Sequence, residues 1–144
     1  MLEAEIDIHS KLDHEHIVKL HEVIKTTQHY YLVMEYCPHG NLNEYIAQKK
    51  QLSESNAMEI LKQLLAAYRY LLDEGIIHRD IKPANILRVG NKWKLSDFGF
   101  AARARFGFKD RVNVGTPLYM APETLRRNYY SFKSDFYAIG IVMF

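Results

Sequence analysis

Asp80, Lys82 and Asn85 fall within one short run, His78-Arg79-Asp80-Ile81-Lys82-Pro83-Ala84-Asn85, and Asp97-Phe98-Gly99 follows it. Side chains of these types supply a carboxylate that can accept a proton, an ammonium that can meet a phosphate, and two oxygen donors suited to magnesium. That is the equipment of phosphoryl transfer, where catalysis is chiefly positioning and stabilisation of charge spread over oxygens. Ala121-Pro122-Glu123 completes an ordered set that unrelated turns would not yield together. His14-Glu15-His16 also brings two imidazoles close, but no further ligand set has the spacing of a metal site.

The elements that must hold these groups can be read from hydropathy. Leu2, Ile6 and Leu12 recur at roughly helical spacing through a charged stretch, which predicts an amphipathic helix ending before Asp13 and His14. Ile17 to Ile24 and His29 to Tyr36 are rich in β-branched and aromatic residues on either side of polar Lys25-Thr26-Thr27-Gln28, which predicts an antiparallel hairpin. Cys37-Pro38-His39-Gly40 interrupts that pattern and reads as a hinge. Ser53 is a good N-cap for a long helix with an apolar stripe of Met58, Leu61, Leu64, Leu65, Tyr68, Leu71 and Leu72, and Gly75 stands in the stopping position. Ile86-Leu87 and Trp93-Lys94-Leu95 read as short strands around Val89-Gly90-Asn91, so the chemical groups fall on loops at strand ends. Ala138 to Phe144 is an apolar helical run without a polar exit, which needs burial on most sides.

Composition narrows the setting. With 48% hydrophobic and 25% charged residues, the 144-residue chain can bury one ordinary core, so a globular domain is expected. Its 19 cationic side chains against 17 acidic give +2, too little for a polyphosphate partner, so no nucleic-acid binding is expected. Cys37 is the single cysteine, which rules out an intramolecular disulfide and agrees with a reducing compartment, cytoplasmic or nuclear. No apolar run approaches the roughly 20 residues that cross a bilayer, so no membrane span is expected. Nothing in the sequence indicates an oligomeric state.

Taken together, the motifs resemble those of the eukaryotic protein kinases, over nearly the whole chain. The resemblance implies an α+β, protein-kinase-like bilobal fold, with residues 1–36 in the smaller lobe, 37–40 as hinge and 41–144 in the larger lobe. It implies ATP and Mg2+ as cofactors and a protein bearing Ser or Thr as substrate. Asp80 would accept the hydroxyl proton, Lys82 would neutralise the γ-phosphate, Asn85 would bind a second magnesium and Asp97 the bridging one. Lys82 with Gly115-Thr116-Pro117-Leu118-Tyr119 is similar to the serine/threonine branch, where Thr116 would sit beside Asp80 and Lys82. Met34 occupies the gatekeeper position, the backbone of Glu35 and Cys37 would meet the adenine edge, Asn41 matches a ribose contact, and Leu87 would pack under the ring. His78 and Phe98 would stack through the core beside Gly99, Asp135 would anchor the catalytic loop from a central helix, and Arg79 would meet a phosphate on the activation segment. Glu5 matches the helix glutamate that pairs with a strand lysine, and Glu123 the one that pairs with a later arginine. His9 stands where the family usually has an apolar residue and is expected to be buried and neutral. Leu32 to Cys37, Phe98 to Ala101 and Pro117 to Met120 are similar to the autophagy-initiating kinases.

The departures set the alternatives. The lysine that would meet Glu5 and the glycine-rich phosphate loop do not occur here, and the apolar run to Phe144 has nothing to cover it. The chain is therefore expected to be a central fragment of a longer kinase, with little activity alone and exposed apolar surface. The alternative is a noncatalytic, kinase-like (pseudokinase) binding module. From Phe98 through Gly115 there is no Ser, Thr or Tyr, so control by phosphorylation there is expected to be absent. Asp110 is then either a constitutive partner for Arg79 or a solvated acid among Arg105, Lys109 and Arg111.

Overall fold

The computed structural model describes residues 2–104 and 113–144. Along the chain run α1 (Leu2–His9), β1 (Leu20–Lys25), β2 (Tyr30–Met34), α2 (Leu42–Lys49), α3 (Glu54–Asp73), β3 (Ile76–Ile77), β4 (Ile86–Val89), β5 (Lys92–Leu95), β6 (Ala102–Arg103), α4 (Pro122–Arg127) and α5 (Phe132–Met143). The strands pair as antiparallel ribbons, β1 with β2, β3 with β6 and β4 with β5. The mixture of separate ribbons and packed helices is the expected α+β class.

Local chemistry explains the elements. The Ser53 hydroxyl accepts the Asn56 N–H at 3.2 Å and starts α3, a 20-residue helix about 30 Å long. Its buried side is Ile60, Leu64, Ala67, Tyr68 and Leu71, while Met58, expected on the stripe, is exposed. These residues pack with Leu42, Ile76, Ile86, Leu95, Phe98 and Ile139 into one core. The loop of the β1–β2 hairpin closes through Thr26, whose hydroxyl accepts the His29 N–H at 3.0 Å.

Two expectations change here. The first strand is shorter than Ile17 to Ile24, because Val18 N–H donates to Leu95 O and Leu95 N–H to His16 O, each at 2.9 Å. Residues 16–18 thereby tie the hairpin to β5 instead of lengthening β1. The second concerns α2, which hydropathy did not announce. It begins with a capping box in which Asn41 accepts the Glu44 N–H at 3.0 Å and Glu44 accepts the Asn41 N–H at 3.2 Å.

α5 crosses behind the loops with Asp135 and Ala138 buried and ends at Phe144 fully exposed. No helix among the described residues is long and apolar enough to cross a membrane.

Candidate functional site

The loop between β3 and β4 is held from below by α5. Asp135, 2% exposed, receives the His78 N–H at 2.7 Å and the Arg79 N–H at 2.9 Å on its two carboxylate oxygens. Burial pushes its carboxyl up to about 6, against the pull of those two bonds. The bonds also hold Arg79 at φ 71°, a left-handed conformation costly for a residue with a long side chain. That turn swings the next residue, Asp80, toward the helical turn Pro83–Asn85.

Asp80 is the centre of a compact polar cluster. Thr116 Oγ1 donates to Asp80 Oδ1 at 2.7 Å, and Lys82 Nζ lies 2.8 Å from Asp80 Oδ2 and donates to Thr116 Oγ1 at 2.8 Å. Asn85 Nδ2 donates to Asp80 O at 2.9 Å and to Asp80 Oδ2 at 3.1 Å. The four residues named from the sequence as Asp80, Lys82, Asn85 and Thr116 are thus one hydrogen-bonded unit.

Thr116 reaches that unit because Gly115 lets the chain pass close by. At φ 96°, a Cβ on Gly115 would lie 2.4 Å from the Arg79 carbonyl oxygen. Tyr130 also fixes this approach, its hydroxyl donating to Val114 O and its ring standing 5.7 Å under the Arg79 guanidinium.

Beneath Asp80 runs a buried aromatic column. The His78 ring lies 4.9 Å from Phe98 and the His9 ring 4.7 Å from the other side of it. His78 Nδ1 accepts the Asp80 N–H at 3.2 Å, which places the ring proton on Nε2, 3.0 Å from Ser96 O. Full burial lowers the His78 pKa to about 4. Burial also lowers that of His9, whose Nε2 meets Val18 O at 2.7 Å. The expected burial of His9 is found, at 1% exposed.

Asp97 sits at φ 64° with its Oδ1 receiving the Gly99 N–H at 3.3 Å and its carboxylate exposed. A methyl group on Gly99 would lie 3.2 Å from Asp97 Oδ1 and 3.6 Å from Glu5 Oε2, so the two carboxyls flank that glycine. Desolvation and the Asp97 charge raise the Glu5 pKa. Ser96 closes the other side, giving its N–H at 2.9 Å and its hydroxyl at 3.0 Å to Asn85 O.

The residues present fit magnesium. Asn85 spends its amide nitrogen on Asp80, which leaves the amide oxygen as an available donor, and Asp97 offers an open carboxylate. No group of three or more His, Cys, Asp or Glu side chains suited to a metal occurs among the described residues, so further oxygen ligands would come from phosphate and water. His16 Nδ1 stands against Trp93 O at 2.9 Å, and His14 Nδ1 accepts the His16 N–H at 3.0 Å.

The nucleotide-side residues are placed less uniformly. Leu87 is half-buried and bridges to Asn41. Asn41 spends its side-chain oxygen on the α2 cap, which the ribose expectation did not foresee. Glu35 and Cys37 are partly buried, and burial pushes the Cys37 thiol up. Met34, expected in an apolar pocket, is 48% exposed, because β2 has β1 as its one ladder neighbour among the described residues. Glu123 lies at the start of α4 with no ion-pair partner among the described residues. Arg79 Nε donates to Phe100 O. Asp110, with Arg105, Lys109 and Arg111, lies outside the described residues.

Ser96 and Tyr130 were not singled out from sequence as part of the site, and Gly115 was quoted only as the start of the motif that runs to Tyr119. Adjacency to Asp97 is the one signal that could have found Ser96.

Residues 1–144 match the family described as protein kinase domain. The chain is 38% identical over 154 residues to "Serine/threonine-protein kinase ULK1" of Homo sapiens, covering 100% of the chain and 15% of that protein. It is 36% identical over 156 residues to "Serine/threonine-protein kinase 33" of Bos taurus, covering 100% of the chain and 32% of that protein. It is 39% identical over 145 residues to "Inactive serine/threonine-protein kinase PLK5" of Mus musculus, covering 99% of the chain and 24% of that protein. The chain thus spans about a third or less of the length of these relatives. All three relatives are named serine/threonine-protein kinases, and the level identities favour no one of the three over the others.

Proposed function

The chain belongs to the protein kinase domain family, and from that premise we propose that it is the catalytic-loop portion of a serine/threonine kinase that transfers the ATP γ-phosphoryl group to a protein hydroxyl. The observation that carries this reading is the Asp80, Lys82, Thr116 and Asn85 cluster, closed by contacts of 2.7 to 3.1 Å.

Each side chain has work to do in that reaction. Asp80 Oδ1 presents the acceptor for the substrate hydroxyl proton, oriented by the Thr116 hydroxyl and the Asn85 amide. Lys82 stands with its ammonium on Asp80 Oδ2, close enough to meet a transferring phosphoryl group and the base that deprotonates its acceptor. Asp97 and the Asn85 oxygen would hold magnesium, which when bound offsets charge on the phosphate oxygens. Asp135 supports the cluster through the His78 and Arg79 backbone.

A second reading is a noncatalytic kinase-like module, since one relative, PLK5, is itself named inactive.

Phosphotransfer from Mg·ATP to a generic serine/threonine peptide, by this chain extended at its amino terminus to carry a glycine-rich loop and strand lysine, separates the two readings, with Asp80→Asn and Asp97→Asn as controls. The enzyme reading expects both controls to fall by on the order of 10² or more in rate. Equal background in the folded wild type and both controls defeats it.

A further inference from the structure

Lys94 is buried, 8% exposed, although it lies outside the cluster around Asp80. Its ammonium is 2.9 Å from Glu35 Oε1 and 3.0 Å from Oε2, so it grips both carboxylate oxygens. Stripping water from an ammonium is costly, and a pair of apolar side chains of similar volume often suits such a place as well or better. Stability alone therefore gives no reason for two charges here.

Geometry gives one. Glu35 is fixed at both ends on one residue: its N–H donates to Lys19 O at 2.8 Å and its Oε2 accepts the Lys19 N–H at 3.2 Å. Lys94 stands on β5 directly across from Leu87 on β4. Its neighbour Leu95 is clamped between His16 and Val18 by bonds of 2.9 Å, and Asp97 follows shortly after. One ion pair therefore ties the segment Glu35 to Cys37, the Leu87 side chain's strand and the loop of Asp97 to a common point.

We infer that the Lys94–Glu35 ion pair is a positioning link that sets the separation between the hinge segment and Leu87, and so the fit of a purine ring between them. The inference rests on the nucleotide-binding reading above. Both residues act through what they hold: Glu35 through its own backbone and Cys37, Lys94 through β5 and Leu87. An arginine could keep the link by gripping the same carboxylate, whereas methionine keeps the volume and loses the grip.

The test is calorimetric titration of the chain with adenosine and, separately, with Mg·ATP, at a temperature where circular dichroism shows each variant folded. Lys94→Met should weaken adenosine and Mg·ATP by the same factor, about tenfold, a size typical of coupling between sites. Lys94→Arg should return both to within about threefold of wild type, and Glu35→Gln with Lys94→Met should be no worse than the worse single variant. Glu35→Gln makes the same comparison if Lys94→Met does not fold. Adenosine affinity unchanged within about twofold in the folded variant overturns the link and leaves the kinase reading standing. Loss of Mg·ATP affinity with adenosine unchanged overturns it too, since the base would then be indifferent to the pair. A folded wild type that binds neither probe overturns both the link and the reading beneath it.

Discussion

Replacing Asp135 with alanine removes the carboxylate that receives the N–H groups of His78 and Arg79, at 2.7 and 2.9 Å. Both donors would be left inside the protein beneath α5, and an unsatisfied buried donor costs about 1–3 kcal/mol. Against this stands the relief of removing a buried carboxylate, whose pKa is pushed up to about 6. Two such donors lose about 2–6 kcal/mol and that relief returns about 3 kcal/mol near neutral pH, so the expected net loss there is up to about 3 kcal/mol. The pH dependence has a definite sign. A carboxyl with its folded pKa raised from 3.8 to about 6 binds more protons when folded, so wild-type stability from this group falls as pH rises through that window. The alanine variant lacks the term, so the gap between the two proteins should widen by on the order of 1 kcal/mol on going from about pH 8 to about pH 5. Urea unfolding followed by Trp93, the single tryptophan and a buried one, reads both quantities. A cost below about 1 kcal/mol at about pH 5, where roughly half of that relief is gone, would refute the anchoring role. A gap that stays constant with pH would refute the elevated pKa and leave the two hydrogen bonds intact as the explanation.

Gly115→Ala should displace Thr116 from Asp80, since the new methyl would lie 2.4 Å from Arg79 O at φ 96°. A loss of about 1–3 kcal/mol in urea unfolding is expected, and wild-type stability would show that the loop relaxes freely. His78 has its pKa lowered to about 4 from 6.5, so its contribution is present above the unfolded value and is lost as pH falls through that window. His78→Gln should therefore remove roughly 2 kcal/mol of acid sensitivity between about pH 8 and about pH 5, read as a change in the slope of stability against pH. Phe98→Ala, at a fully buried site between His9 and His78, should cost about 3–5 kcal/mol, and a value under about 1 kcal/mol would mean that the column does not pack as described. Thr116→Ser keeps the hydroxyl between Lys82 and Asp80 and should retain phosphotransfer that Thr116→Ala loses, measured with the serine/threonine peptide in the same amino-terminally extended chain.

The parts of the site legible in the sequence were those in which a side chain's chemistry is itself the signal. Asp80, Lys82, Asn85 and Asp97 are polar residues in a fixed order, and α3 declares itself through Ser53 and its apolar period. Backbone devices carried no such mark. The two-residue ladder of β3 and β6 is too short to show a period, and α2 was hidden because Asn41 read as a ligand contact while it closes a capping box with Glu44. Met34 read as the gatekeeper of an apolar pocket, yet its exposure is decided by how many strands lie beside β2. Lys94 stood in the short strand Trp93-Lys94-Leu95 with no role assigned to it. Its partner Glu35 is distant in sequence, and no local pattern reveals a pair closed by tertiary folding.

The strain in this site points to where its rigidity comes from. Arg79 and Asp97 both occupy left-handed backbone at φ 71° and 64°, the first directly before Asp80 and the second itself a candidate magnesium ligand. Such a conformation costs on the order of 1–2 kcal/mol at a residue with a side chain, and is kept only where surrounding bonds over-determine it. At Asp97 the constraint is local, a bond from the Gly99 N–H, and an aspartate tolerates the region. At Arg79 it is remote: the compensating bonds come from Asp135 on α5, far along the chain, and from Phe100 O to its guanidinium. The two turns therefore differ in what would loosen them. Unfolding of the last helix should release Arg79, and with it the aim of Asp80, while leaving the Asp97 turn closed. Loss of the Asp80 cluster ahead of the Asp97 turn during mild denaturation is the order this arrangement requires, and hydrogen exchange at Arg79 N–H and Gly99 N–H reads it directly. Simultaneous opening of the two would mean that α5 and the aromatic column behave as one cooperative unit.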